Sequence, residues 1–291
     1  MVVDAWRDAS PHCLHQQGVL WTDSVTLAEL ARTYTLPSRA VASLDRSPGW
    51  ASRWETVWRF GRTSATYVVR DIADVELEST IPVRRFSWRT GQWHRPGLEY
   101  LVSTGRHHGF ESFEEELLLL SADFAGDLVE ALAQPFRLRF GTASGPVTHT
   151  PDFLLLTRRI AWLVDVRPAE RIDPLDEVKF AAAAEVALSA GWRYTVVTGW
   201  PAGIVDLVDA LSAGRRPLTD PLGQQAQLLA AAATAQPFGE LVDRCSVPSV
   251  ARAHAVHLLW HRRLGLPLAE GLRDASLVRL APGAGRKGGT W

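Results

Sequence analysis

The stretch that decides the fold runs from His149 to Pro168 and reads His-Thr-Pro-Asp-Phe-Leu-Leu-Leu-Thr-Arg-Arg-Ile-Ala-Trp-Leu-Val-Asp-Val-Arg-Pro. Its two largely apolar runs are typical of short strands that are buried on both faces. The polar residues 157–159 separate these runs and predict a tight turn. Because the chain goes out and returns, the hairpin would bring Asp152 and Asp165 together at its open end.

Two carboxylates at the end of a buried hairpin need hydrogen bonds, a cation or a metal ion, because an unpaired buried carboxylate is costly. Oxygen ligands of this kind suit hard divalent cations such as Mg²⁺. The alternative is structural: Asp152 and Asp165 could simply cap turns in an α/β domain. The residues alone leave both interpretations open.

The whole chain has 291 residues, of which 46% are hydrophobic and 22% are charged, as expected for a globular protein of two or three compact units. The formal net charge of −1 excludes a uniformly basic surface, so any DNA contact must come from local patches. The two cysteines, Cys13 and Cys245, are too few for a Cys-rich zinc site. No apolar run reaches the roughly eighteen residues of a membrane span, and we expect a cytoplasmic protein without membrane contact.

Helix and strand signals extend the hairpin into a larger α/β unit. Ser112 is a good N-cap for a helix over 112–122, and residues 136–140 alternate in the manner of a strand. After the hairpin, Asp173 and Pro174 open a second helix, and residues 192–198 form a last predicted strand. The predicted order is therefore helix, three strands, helix, strand.

The first of these helices carries three consecutive glutamates, Glu114, Glu115 and Glu116. Successive helix residues point about 100° apart, so only one of the three can face Asp152. Glu115 also completes a capping box, which is its structural explanation. Helix phase does not choose among the three, because residues 117–120 are apolar without interruption.

Basic and aromatic residues are interleaved just before the predicted unit. Such a pattern can hold a nucleic-acid backbone, and it makes four arginines candidate DNA contacts. The equally weighted alternative is a solvated hairpin face with its aromatic side chains turned inward. The four residues are Arg84, Arg85, Arg89 and Arg95.

Both ends of the chain predict helices. Residues 26–44 read as two helices around Leu36 and Pro37, which suits a helix-turn-helix but more simply two packed helices of a small cap. The last third predicts helices over 202–213, 223–235 and 249–264.

Three histidines share one side of the last helix. They have metal-ligand chemistry, but no carboxylate lies between them and the catalytic glutamate of a metalloprotease motif is missing. A polar or partner-facing surface is therefore favoured over a metal site at His254, His257 and His261.

Four sequence blocks resemble a known nuclease pattern. Pro151-Asp152, followed after twelve residues by Asp165-Val166-Arg167, resembles the PD-(D/E)xK signature. The blocks 110–115, 134–136, 149–153 and 164–168 are together similar to TnsA-like endonuclease subunits of heteromeric, Tn7-type transposases, over about residues 80–200.

The resemblance implies an α/β fold with a restriction-endonuclease-like PD-(D/E)xK core of helix, three strands, helix and strand. This core would occupy residues 81–205. An N-terminal α+β extension would precede it over residues 1–80. A C-terminal helical, partner-binding region would follow over residues 206–291, with a winged-helix-like arrangement as one option.

The resemblance also implies the site. It selects Glu115 as the helix carboxylate, with Asp152 and Asp165 completing the acidic set. These three side chains and the Val166 carbonyl would bind Mg²⁺, for which Mn²⁺ could substitute. Gln134 would position a water molecule or a phosphate.

One position departs from the family pattern. The signature usually ends in lysine, whereas this chain has Arg167. An arginine, with a pKa above about 12, cannot act as a base, but it can stabilise charge in the transition state, and Arg167 therefore joins the catalytic set. Lys179, two turns into the next helix, could replace the missing lysine, although a solvated lysine is the simpler interpretation.

The function that the resemblance implies is a Mg²⁺-dependent endonuclease that cuts the 5′ ends, or non-transferred strands, of a mobile element. Its substrate would be double-stranded DNA at the transposon ends. Its partners would be a DDE-type, TnsB-like transposase and an AAA+, TnsC-like ATPase. The alternatives are a nuclease-like scaffold that binds DNA and proteins without cutting, which Arg167 motivates, and a stand-alone restriction or repair nuclease.

Overall fold

A computed structural model describes residues 19–84 and 96–283, which form a mixed α/β protein. The described α-helices are α1 (Leu27–Leu30), α2 (Ser38–Ala42), α3 (Trp50–Arg53), α4 (Phe113–Ala125), α5 (Pro174–Ser189), α6 (Ile204–Ser212), α7 (Gln224–Ala231), α8 (Phe238–Asp243) and α9 (Pro248–Trp260). Short 3₁₀ helices are formed by Val69–Asp74, Leu77–Ser79 and Ala169–Arg171.

The strands are distributed over four sheets. They are β1 (Arg32–Thr33), β2 (Glu55–Phe60), β3 (Thr63–Val68), β4 (Gly97–Leu101), β5 (Arg106–Phe110), β6 (Leu128–Ala133), β7 (Phe136–Thr142), β8 (Gly145–His149), β9 (Phe153–Thr157), β10 (Ala161–Val166), β11 (Arg193–Gly199), β12 (Gln236–Pro237), β13 (Leu264–Gly265) and β14 (Leu277–Leu280).

A five-stranded sheet in the order β1-β11-β10-β9-β6 forms the centre. The predicted hairpin is confirmed, since β9 and β10 pair antiparallel. Its residues alternate between two cores: Phe153 and Leu155 pack with Leu118 of α4, whereas Leu154 packs with Ala182 of α5. Burial on both faces explains why these strands are apolar without a polar alternate face.

The two helices beside this sheet begin where the sequence predicted. Ser112 caps α4 by accepting the backbone N–H of Glu115, and Asp173 caps α5 by accepting that of Asp176, with Pro174 at the first position. Asp and Ser are favoured at this position because they satisfy backbone donors that have no partner within the helix. The confirmed caps fix where the two helices meet the sheet.

The prediction that residues 136–140 form the first strand of the central unit is wrong. These residues belong to β7, which pairs with β2 and β8 in a second, four-stranded sheet. Phe136 and Leu138 are fully buried there in a core that includes Trp58. The strand beside β9 in the central sheet is instead β6, and the chain changes sheets between β6 and β7.

Residues 26–44 form the predicted pair of helices only in shortened form, on either side of the break at Leu36 and Pro37. They contain the short helices α1 and α2, separated by β1, which extends the central sheet by pairing antiparallel with β11. Tyr34 and Arg39 then attach this segment to α5, because both donate hydrogen bonds to Glu177. A helix-turn-helix is therefore excluded for these residues.

Beyond the central sheet, a further apolar core joins the C-terminal helices to α1 and α4. Helices α6, α7 and α9 form where helices were predicted, and Leu211, Leu228 and Leu259 share one buried cluster. A small antiparallel sheet in the order β12-β14-β13 completes this part and was not predicted. Within residues 19–84 and 96–283, no helix has the length and apolar character needed to cross a bilayer.

Candidate carboxylate site

The register of the central hairpin places Asp152 and Asp165 side by side. Val164 lies opposite Phe153, so Asp165 and Asp152 are the next facing pair at the open end. Facing residues of antiparallel strands point to the same side of a sheet. The hairpin thus brings the two acids together as the sequence predicted.

Asp152 is a carboxyl group with little compensation for its charge. Its Oδ2 accepts the backbone N–H of Val166 at 2.7 Å. Burial raises its pKa well above the ordinary value, and the neighbouring charges of Asp165 and Glu115 raise it further; the Val166 N–H and Arg84 oppose them. The charges of Glu115 and Asp165 thus both act on Asp152, and we name Glu115, Asp152 and Asp165 the carboxylate cluster.

Glu115 reaches this cluster from the first turn of α4. Its Oε2 accepts the backbone N–H of Glu111 at 2.8 Å, and Oε1 lies 3.4 Å from the Ser112 hydroxyl. The residue is 8% exposed, and burial raises its pKa to about 7, with Arg84 among the groups that oppose the rise. Glu116 lies elsewhere, since Glu99 and Asp209 are the acids that act on it.

Asp165 is bound by two side chains that sequence reasoning did not assign to the site. Tyr194 donates its hydroxyl to Oδ2 at 2.7 Å, and His149 Nε2 lies 3.0 Å from Oδ1 and 3.1 Å from Oδ2. Burial and the charge of Asp165 raise the pKa of Tyr194 well above its ordinary value, so its proton stays in this hydrogen bond. His149 was visible in the quoted stretch, whereas no local signal points to Tyr194.

Arg167 and Lys179 meet at a different carboxylate. Arg167 Nη2 lies 3.2 Å from Asp176 Oδ2, and Lys179 Nζ lies 3.1 Å from Asp176 Oδ1. Arg167 also donates its Nε to the carbonyl of Arg171 at 3.3 Å. The two cations proposed from the sequence thus lie together, but they bind Asp176 of α5 and not the carboxylate cluster. We name Arg167, Asp176 and Lys179 the Asp176 cluster.

Gln134 marks the point where the chain leaves the central sheet. It has a φ of +45°, which is uncommon for a residue other than glycine, and is only 2% exposed. Its backbone N–H donates to the Asp152 carbonyl at 2.6 Å. Its side-chain oxygen accepts Nε of Arg84 at 3.4 Å, and Arg84 Nη2 also lies 3.2 Å from Glu111 Oε2. The candidate auxiliary residue is therefore at the cluster, and it brings Arg84 with it.

The cluster has the donor chemistry for a hard divalent cation. Carboxylate and carbonyl oxygens are the usual ligands of Mg²⁺. The pKa values of Glu115 and Asp152 are raised mainly by burial and further by neighbouring acids, so a bound cation would stabilise their charged forms. In the part of the chain that the structure describes, no three Asp, Glu, His or Cys side chains are placed to hold a metal ion. The residue types fit a cation, and closing around one would require the side chains to approach each other.

Other sequence candidates lie away from the carboxylate cluster or outside the described residues. His254 lies 3.2 Å from Gln225, while His257 and His261 contact the backbone carbonyls of Gly214 and Arg215. Arg85, Arg89 and Arg95, which were predicted to contact DNA, are outside the described residues.

Compared with models of known protein families and with curated proteins, the sequence matches none of them. The geometry of the carboxylate cluster and the motif resemblance are therefore what bear on function.

Proposed function

We propose that this chain is a metal-dependent DNA endonuclease that cuts the non-transferred strands at the ends of a mobile element. The observation that carries the proposal is the carboxylate cluster. Three segments of the chain contribute its acids. Burial raises the pKa of Glu115 and Asp152, and the charges of Asp165 and Glu115 add to the rise at Asp152. Such uncompensated charge is stabilised by a cation and is typical of functional sites.

The architecture supports the same proposal. The central sheet has α4 on one face and α5 on the other, and its strands β6, β9, β10 and β11 follow the chain in the order of a PD-(D/E)xK core. The hairpin of β7 and β8 is inserted between the first two. We propose that this layer is a restriction-endonuclease-like core.

In the proposed reaction, Glu115, Asp152, Asp165 and the Val166 carbonyl would hold Mg²⁺ or Mn²⁺. When bound, the cation acidifies water and offsets the charge that develops on phosphate. His149 and Tyr194 fix the orientation of Asp165, and Gln134 fixes the Asp152 backbone. Water adds to phosphorus, the bond to the leaving oxygen breaks, and that oxygen takes up a proton, leaving a 5′-phosphate and a 3′-hydroxyl.

The proposed setting is a cytoplasmic transposition complex. A DDE-type transposase would join the 3′ ends that this chain does not cut. An AAA+ ATPase would contact the C-terminal part built around α6 to α9. These partners follow from the motif resemblance.

The test is a nicking assay on DNA that carries an end of the element, with Mg²⁺ or Mn²⁺ and the proposed partner transposase. We expect metal-dependent cutting by the wild type and none by Asp152→Ala. Asp243→Asn, an exposed position on α8, is the matched control and should cut normally. Equal cutting by the wild type and Asp152→Ala would reject the carboxylate cluster as the active site.

A second candidate is a scaffold that binds DNA and partners without cutting. It is favoured by the engagement of Arg167 with Asp176 and by the open arrangement of the three acids. Intact DNA or partner binding without cutting, when all partners are present, would select this scaffold.

A further inference from the structure

Arg84 is connected to the carboxylate cluster through Gln134. Its Nε donates to Gln134 Oε1 at 3.4 Å, and Gln134 in turn donates its backbone N–H to the Asp152 carbonyl at 2.6 Å. The backbone beside Arg84 is held as well, because Val83 donates its N–H to the Gln134 carbonyl at 3.1 Å. One residue therefore separates Arg84 from the first acid of the cluster.

A second bridge runs to the other side of the cluster. Nη2 of Arg84 lies 3.2 Å from Glu111 Oε2, and Glu111 donates its backbone N–H to Glu115 Oε2 at 2.8 Å. Arg84 thus spans the segments that carry Asp152 and Glu115. With these two contacts the guanidinium of Arg84 lies next to both acids, and the Arg84 side chain remains 49% exposed.

Arg167, which occupies the signature position, has different surroundings. Its guanidinium is 45% exposed, close to the value for Arg84, so exposure does not separate the two. The two arginines differ in location. Arg167 binds Asp176 on α5, and it helps to lower the pKa of Asp173. Arg84 instead contacts Gln134 and Glu111, whose backbone N–H groups donate to the Asp152 carbonyl and to the Glu115 carboxylate.

We propose that Arg84, rather than Arg167, contacts the scissile phosphate of the DNA backbone at the carboxylate cluster. The inference rests on the proposed endonuclease function and names the residue that holds its phosphodiester. A guanidinium presents a planar fork of N–H donors that matches two phosphate oxygens. Arg84 would exchange its exposed contact with Glu111 for those oxygens while Gln134 keeps the side chain in place.

The position of Arg84 has a second, opposite consequence. A positive charge beside Glu115 and Asp152 repels a divalent cation that binds there. Arg84→Gln should therefore cut DNA more slowly and yet bind Mn²⁺ more tightly. If the arginine contacted DNA far from the carboxylates, its replacement would slow DNA cutting and leave the affinity for Mn²⁺ unaltered.

The experiment compares Arg84→Gln, Arg84→Lys, Arg167→Gln and the control Arg139→Gln in the full chain with its transposase. Arg139 is 52% exposed and lies 3.5 Å from Glu55, so it matches Arg84 in exposure and pairing. Single-turnover cutting rates are measured with Mn²⁺, and Mn²⁺ affinity is measured by calorimetry on the free chain. Circular dichroism shows that each variant is folded.

We expect Arg84→Gln to lose about 100-fold in cutting rate, as removal of one preorganised donor to a developing charge does. Its Mn²⁺ dissociation constant should fall about fivefold, a Coulomb effect across a partly hydrated site. Arg84→Lys keeps the charge but not the fork, so its rate should fall while its Mn²⁺ affinity stays at the wild-type value. Arg139→Gln should change neither quantity.

A rate retained in Arg84→Gln and lost in Arg167→Gln would overturn the inference while leaving the endonuclease function intact. Unchanged Mn²⁺ binding in a folded Arg84→Gln would overturn it as well. If the wild type does not cut with its partners present, the proposed function fails and this inference fails with it. Should Arg84→Gln not fold, Arg84→Lys decides, since a wild-type rate there contradicts contact through the guanidinium fork.

Discussion

The carboxylate cluster and the Asp176 cluster both start at the carboxyl end of β10, yet their charge balances are opposite. In the first, burial raises the pKa of Glu115 and Asp152, and the charges of Glu115 and Asp165 raise the pKa of Asp152 further. In the second, Asp176 binds both Arg167 and Lys179. The end of one strand therefore offers excess negative charge beside excess positive charge, the pairing that a metal ion and a phosphate backbone together require.

The largest expected effect comes from removing charge from the carboxylate cluster. Asp165→Asn keeps the shape of the side chain but removes the negative charge that would bind the cation, so we expect cutting to fall by about 1,000-fold. Single-turnover cutting at saturating Mn²⁺ measures the loss. Asp176→Asn is the matched variant in the other cluster, and a loss of similar size there would erase the functional distinction between the two.

Glu115→Gln tests the raised pKa that distinguishes the carboxylate cluster. In the folded chain the pKa rises from 4.5 to about 7, so the folded state holds the proton more tightly than the unfolded state does. The wild-type free energy of unfolding should therefore fall as the pH rises from about 4.5 to about 7. At pH 8, Glu115→Gln should be more stable than the wild type by about 3 kcal/mol, and near pH 4 the two should be equal.

Urea unfolding at pH 4, 6 and 8 measures this dependence. Glu114→Gln, one residue away on the same helix turn, is the control. It retains Glu115, so its free energy of unfolding should fall between pH 4 and pH 8 as that of the wild type does. A difference between Glu115→Gln and the wild type that stayed constant from pH 4 to pH 8 would contradict the raised pKa.

Tyr194→Phe sharpens the comparison by removing one donor from Asp165. The lost hydroxyl bond of 2.7 Å should cost about 2 kcal/mol of unfolding free energy and about 10-fold in cutting rate. Tyr34→Phe is a close control, because Tyr34 donates a bond of 2.6 Å to Glu177, outside the cluster. It should lose stability and keep its cutting rate; equal rate losses in both variants would assign Tyr194 a purely structural role.

Asp176→Asn should have the smallest effect on stability. Its two ion pairs involve cations that are 45% and 26% exposed, so solvent screens them and their loss should cost less than about 1 kcal/mol. Urea unfolding in low salt and in about 1 M salt measures this cost, which should vanish in high salt. Asp176 itself is only 8% exposed, so a larger cost that persisted in high salt would show that it stabilises α5 by more than these two screened ion pairs.

The central hairpin and the two capped helices could be predicted because their signals are local. Residues 154–156 and 160–166 are largely apolar, which predicts strands that are buried on both faces. Asp173 followed by Pro174 predicts the start of α5. Strand β6 was missed because its sequence, Leu-Val-Glu-Ala-Leu-Ala, contains strong helix formers, and pairing with β9 overrides that propensity. Strand β1 was missed because two residues carry no periodicity.

The sequence predicted the acids of the candidate site, but it did not predict that Tyr194 and Arg84 would lie beside them. Asp152 and Asp165 follow from the hairpin, whereas Glu115 needed the motif resemblance to separate it from its neighbours. Tyr194 contacts Asp165, which is 29 residues away in the sequence. Arg84 contacts Gln134, which is 50 residues away. Contacts at such separations depend on strand order, which no local pattern in one sequence encodes.

Both outer strands of the central sheet carry a break in register. The register of β1 shifts between Arg32 and Thr33, and that of β6 shifts between Leu128 and Glu130. Such irregular edges interrupt the row of backbone donors and acceptors on which a foreign strand could dock. A second copy of this chain would therefore meet no regular strand edge to extend, so a high local concentration of the protein need not lead to aggregation through these sheets.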